Sequence, residues 1–202
     1  MSYFGHVLYA SIFIMLYQAF ANTDESIISQ LTHQYGNNWA GPLCTALLFV
    51  GAGLGSLYNK YIGKVSYKYT FFIGSFGYTI YIGMGLIFMK MNFTAGALAL
   101  IEIGSFVGGL FCSLFYNSQY NYVNTLSIID HQEVKYFGVS LMLVQGANLI
   151  GSLLSSLLIE PLGQFNYVLV MDVSIFVISL FFLGIRDPRP VDLPTSIISE
   201  EQ

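Results

Sequence analysis

Six stretches of this chain are each long and apolar enough to cross a lipid bilayer, and that feature removes most soluble folds from consideration. A hydrocarbon core about 30 Å thick needs about 20 mostly apolar residues per helix. Stretches at about 4–21, 40–58, 70–89, 94–116, 138–159 and 167–185 satisfy this requirement. Composition points the same way: 55% of the 202 residues are hydrophobic and 9% are charged, whereas a soluble domain carries about a quarter charged residues. So little polar surface cannot cover a water-soluble globule. The predicted fold is therefore an all-α integral membrane protein. A six-helix bundle occupies residues 1–186, and a polar tail at 187–202, with Pro188, Pro190 and Pro194 and a Glu200-Glu201 end, has no apolar face to bury and is expected to be flexible. The first apolar run lacks a basic leader and an A-x-A cleavage site, so it reads as a retained helix and not a signal peptide.

Orientation follows from the cations, because short loops rich in Lys and Arg stay on the cytosolic side. Lys60, Lys64 and Lys68 fall in the second connection, Lys135 in the fourth, and Arg186 and Arg189 after the sixth span. Lys90 alone lies in a connection of opposite parity. Both termini are thus expected on the cytosolic or equivalent side of a membrane whose identity is open. The sequon Asn92-Phe93-Thr94 then falls in an outward connection, which makes Asn92 a candidate glycosylation site hugging the membrane. The net charge of −4 and the scattered cations exclude a nucleic-acid partner.

Polar residues inside the spans carry the remaining information. Glu102 is costly about two turns into the fourth span and must face protein or water. Ser105, Gly109, Cys112, Ser113 and Tyr116 share its helical face. Two readings stay open: a cavity-lining proton or cation site, or a neutral carboxyl hydrogen-bonded to a neighbouring helix. The fifth span carries Gln145, Asn148, Ser152, Ser155 and Ser156 on one stripe, and the first carries Ser11, Met15, Gln18 and Asn22. Such stripes hydrogen-bond across a bundle or contact a solute. Gly51-x-x-x-Gly55 and Gly104-x-x-x-Gly108 encode close helix approach. Asp172 and Glu160 are placed within reach of the outer interface, Asp24 and Glu25 are read as closing the first helix, and Asp130, His131 and Glu133 as a solvated loop. Cys44 and Cys112, inside apolar runs and without ligand spacing, read as small packing residues. His6, His33 and His131 are far apart in topology, and no H-E-x-x-H, G-x-S-x-G or Walker pattern occurs. No catalytic, cofactor or metal site is predicted, and the chain is read as non-enzymatic.

Six spans with inside termini, a Lys-bearing second connection and Gly-rich second, fourth and fifth spans together resemble one half of a major facilitator superfamily transporter. Gly55-Ser-Leu-Tyr-Asn59-Lys60-Tyr-Ile-Gly63-Lys64 is similar to a degraded form of that superfamily's G-x-x-x-D-[RK]-x-G-[RK] signature, with Asn59 at the acidic position and the later Gly one residue late. Ala19-Phe20-Ala21-Asn22-Thr23, Gln119 just after the fourth span, Gln145 with Gly151 in the fifth, and Ile185-Arg186-Asp187-Pro188 resemble the uncoordinated-ninety-three-like branch. In that branch a Gln-Gly pair follows the fourth helix, and Tyr120 stands here in place of the Gly. The resemblance implies an accessory, ion-channel regulatory or trafficking subunit. A half-size secondary transporter for a small solute or cation, with Glu102 in its cavity, is the alternative. It further implies that the second and fifth helices, with Gly51, Gly55, Gly151 and Ser152, present a face to a partner: a second copy, another membrane protein or a missing C-terminal half.

Overall fold

The computed structural model describes residues 3–35, 38–57 and 65–188, with the backbone alone at 23–26. Every regular element among the described residues is helical. The helices are α1 (Phe4–Tyr35), α2 (Ala40–Ser56), α3 (Tyr67–Lys90), α4 (Ala95–Ile129), α5 (Glu133–Leu162) and α6 (Gln164–Phe181), followed by one 3-10 turn at Phe182–Gly184. Five of the helices are long and apolar enough to cross a membrane, while α2 is apolar but 17 residues long.

The helices outrun the predicted spans where the sequence turns polar. Helix α1 does not close at Asp24 and Glu25 but continues to Tyr35, because no Gly or Pro interrupts 22–35 and Ile27, Ile28, Leu31 and Thr32 form a buried face. Ile28 fills the space opposite Gly85 of α3. Helix α4 likewise passes its expected end to reach Ile129, with Ser118, Tyr122 and Leu126 buried one turn apart. The fourth connection shrinks to residues 130–132. Pro161 does not break α5; the break is Gly163, whose φ of +73° suits a residue without a side chain.

Packing follows a regular scheme. Helix α4 lies between α2 and α3, α1 lies between α5 and α6, and α3 joins the two groups through α6. Exchanging α1 for α4, α2 for α5 and α3 for α6 turns each extensive pairing into another: α2–α4 becomes α5–α1, α3–α4 becomes α6–α1, and α3–α6 becomes itself. Because each triplet has three helices, α1 and α4 run in opposite directions, so the two triplets are related by inversion across the bundle. Close backbone approach holds the first group together. A Cβ on Gly51 would collide with the Phe106 carbonyl oxygen, one on Gly109 with that of Leu48, and one on Gly77 with that of Gly108.

At the centre, Tyr17, Phe71, Phe115, Tyr122 and Phe182 form a fully buried aromatic cluster. The Tyr17 and Phe115 rings lie 4.5 Å apart, and Phe71 stacks on Phe182 at 5.6 Å. The Tyr17 hydroxyl donates to the Ser75 carbonyl at 2.7 Å, satisfying the one polar atom this ring carries inward.

Two carboxylates tie the N-terminal end of the bundle. The Tyr3 amide donates to Asp130 Oδ2 at 2.7 Å, and the Tyr136 hydroxyl donates to the same oxygen. Asp130, expected in a solvated loop, is thus half-buried and bonded, while His131 and Glu133 beside it are exposed. The Tyr67 amide donates to Asp187 Oδ1 at 2.7 Å and the Ser66 hydroxyl donates to Asp187 Oδ2, which places a carboxylate on the first turn of α3. Asp187, assigned from sequence to a flexible tail, therefore belongs to the bundle. At the opposite end Tyr35 stacks on Phe93 at 3.9 Å.

Candidate functional site

The polar residues of the first and fifth spans do meet. Asn22 Nδ2 donates to Asn148 Oδ1 at 2.8 Å, joining α1 to α5. Beside this bond lies a cavity of about 400 Å³ lined by Asn22, Gln30, Asn148, Ser152 and Ser155. Gln18, one turn before Asn22, is buried, whereas Gln145, Asn148, Ser152 and Ser156 of α5 are exposed. The Ser155 and Ser156 hydroxyls donate back to the Ser152 carbonyl at 2.9 and 2.8 Å. Helix α5 is the least covered of the five long helices: 11% of its apolar window is buried, against 39–50% in the others. Leu149 and Met142 stand beside the polar stripe at 76% and 67% exposure.

Glu102 does not share that seam. It is half-buried on the face of α4 that packs against α2, within electrostatic reach of Cys44. Glu102 Oε1 is buried and has no hydrogen-bond partner among the described residues. The face grouped with it in sequence divides between neighbours. Gly109 and Ser113 meet α2 at Leu48 and Gly55, and Cys112 meets α3 at Gly77. Tyr116 is exposed, with its hydroxyl 3.3 Å from that of Tyr78. Gln119 is half-buried within the continuous α4 and does not follow its end.

Gly51 and Gly55, expected on a face offered to a partner, are buried inside the chain's own α2–α4 contact. Their lack of side chains is already used to admit α4, so this face is not free. Gly151 is buried too, and Ser152 alone of the four is exposed. Asn92 is exposed at φ +53°, and Thr94 of its sequon caps α4, its hydroxyl accepting from the Ala97 amide at 3.3 Å. Asn59, Lys60, Gly63, Lys64 and Arg189 lie outside the described residues.

A second intramembrane carboxylate departs from its expected place. Asp172 lies midway along α6, not at its outer end, and faces Gly83 of α3 across the α3–α6 contact. Its Oδ1 is buried without a hydrogen-bond partner among the described residues. The signal was available, since Asp172 interrupts a run apolar on both sides. The chain matches no family model, no curated protein and no solved structure.

Proposed function

We propose that this chain is a multi-pass membrane subunit without enzymatic activity, working as an accessory or regulatory component of a larger membrane complex. One observation carries the reading: α5, long and apolar enough to span a bilayer, leaves Gln145, Asn148, Ser152 and Ser156 exposed. Amides and hydroxyls facing lipid are unfavourable and gain hydrogen bonds when another helix covers them. The inverted relation of the two helix triplets supports a likeness to one half of a major facilitator fold, which is built from such nested repeats. In this reading the bundle extends through Asp187, and both termini, with Lys68, Lys135 and Arg186, lie on the cytosolic side. Extraction in a mild detergent tests it. The expected particle is heavier than a lone 22.5 kDa chain plus detergent and contains a stoichiometric membrane partner or second copy. A lone chain under every mild condition would refute the subunit reading.

A solute or cation carrier is the second reading, favoured by Glu102 Oε1 and Asp172 Oδ1, buried and without a hydrogen-bond partner among the described residues. Carboxylates at membrane depth mark ion and proton pathways in carriers. Reconstituted vesicles should then show a flux that Glu102→Gln or Asp172→Asn abolishes, and equal flux in both variants and the native chain would remove this reading.

A further inference from the structure

We propose that the partner covering α5 is a second copy of this chain, docked α5 against α5 in parallel about a two-fold axis normal to the membrane. The inference rests on the subunit reading above and names its partner. The outer side of α5 carries a seven-residue repeat: Gly138, Gln145 and Ser152 at one position, and Leu141, Asn148 and Ser155 three residues further on. Five of these six are exposed, and Ser155 is half-exposed. A seven-residue spacing keeps one stripe of a helix against a parallel partner at a crossing of about 20°, the commonest geometry in membrane bundles. Gln145 to Ser155 covers about 15 Å of helix, about half the hydrocarbon thickness.

Chemistry selects a copy of the same chain. Two copies inserted with the same orientation place each residue at the same depth as its counterpart, so the face must be complementary to itself. Amides and hydroxyls meet that condition because each both donates and accepts. A charged group would not, and no Lys, Arg, Asp or Glu occurs between Lys135 and Glu160. Asn148 is already oriented: its Oδ1 accepts from Asn22, which holds its Nδ2 donors available for the Asn148 of the second copy. Gly138, at the head of the repeat, has open space where a side chain would project, so the two backbones can approach there. A polar side chain at such a seam fixes register and limits the assembly to two strands.

Cysteine scanning of the full chain in native membranes tests the seam. Cys44 and Cys112 are buried, so introduced thiols report alone. Under mild oxidation Gln145→Cys, Asn148→Cys and Ser152→Cys should give a disulfide-linked species of twice 22.5 kDa, whereas Val173→Cys on exposed α6 should not. Gln145→Leu with Asn148→Leu, which leaves an apolar helix that still inserts, should lower the dimer fraction in lipid about tenfold. Equal cross-linking at Val173→Cys, or no cross-linking on α5, overturns the proposal. Recovery of a heavier particle containing a different chain would then leave the subunit reading standing and this one refuted. A lone chain in both assays would remove both.

Discussion

At the residue scale, the absence of a side chain decides more than any side chain present. Gly77 and Gly109 each sit where another helix backbone passes within contact distance. Gly77→Val or Gly109→Val is expected to destabilise the bundle by at least about 2 kcal/mol through overpacking, read as a lower unfolding midpoint in detergent. Gly53 and Gly146 have no neighbour within 4 Å of the point where a methyl group would project, so Gly53→Ala and Gly146→Ala should be neutral or stabilising by up to about 1 kcal/mol. That contrast was half legible beforehand. The Gly51-x-x-x-Gly55 spacing signalled close approach, but spacing cannot say whether the approaching helix belongs to the same chain. Asp172 gives the converse lesson, because its depth depends on where α6 begins, and that boundary lay at Gln164 rather than 167. With its Oδ1 buried and without a hydrogen-bond partner among the described residues, Asp172→Asn should hold or raise the melting temperature, and a clear fall would reveal a stabilising contact made by the charge.

At the scale of elements, the six helices among the described residues were legible because long apolar runs are a strong signal. Their ends were not, and the errors share one cause. Residues 22–35 and 117–129 look like loops by hydropathy, yet both continue as helix because one face is apolar and no breaker intervenes. Helix α3 shows how an end is fixed instead. It starts where Asp187, distant in sequence, accepts from Ser66 and from the Tyr67 amide. Asp187→Ala should therefore cost about 1 kcal/mol, as capping losses do. The effect should be local: faster amide exchange in the first turn of α3, with α5 exchange unchanged. Equal loosening of both helices would show that Asp187 acts on the whole bundle.

At the scale of the molecule, the described cations separate by end. Lys68, Lys135 and Arg186 sit where α3 begins, α5 begins and α6 has ended, and Lys90 sits at the opposite end of α3. Cysteines placed at 68 and 135 should react with a membrane-impermeant reagent from one side only, and a cysteine at 90 from the other. Labelling of 68 and 135 from opposite sides would refute the antiparallel order of the helices across the bilayer. The inverted relation of the two triplets has a corollary for how the protein enters a membrane at all. A scaffold that looks much the same turned over has little preference of its own for which face meets the cytosol. That decision falls to a few ammonium and guanidinium groups at the rims, so relocating them should send the bundle in upside down without disturbing its interior.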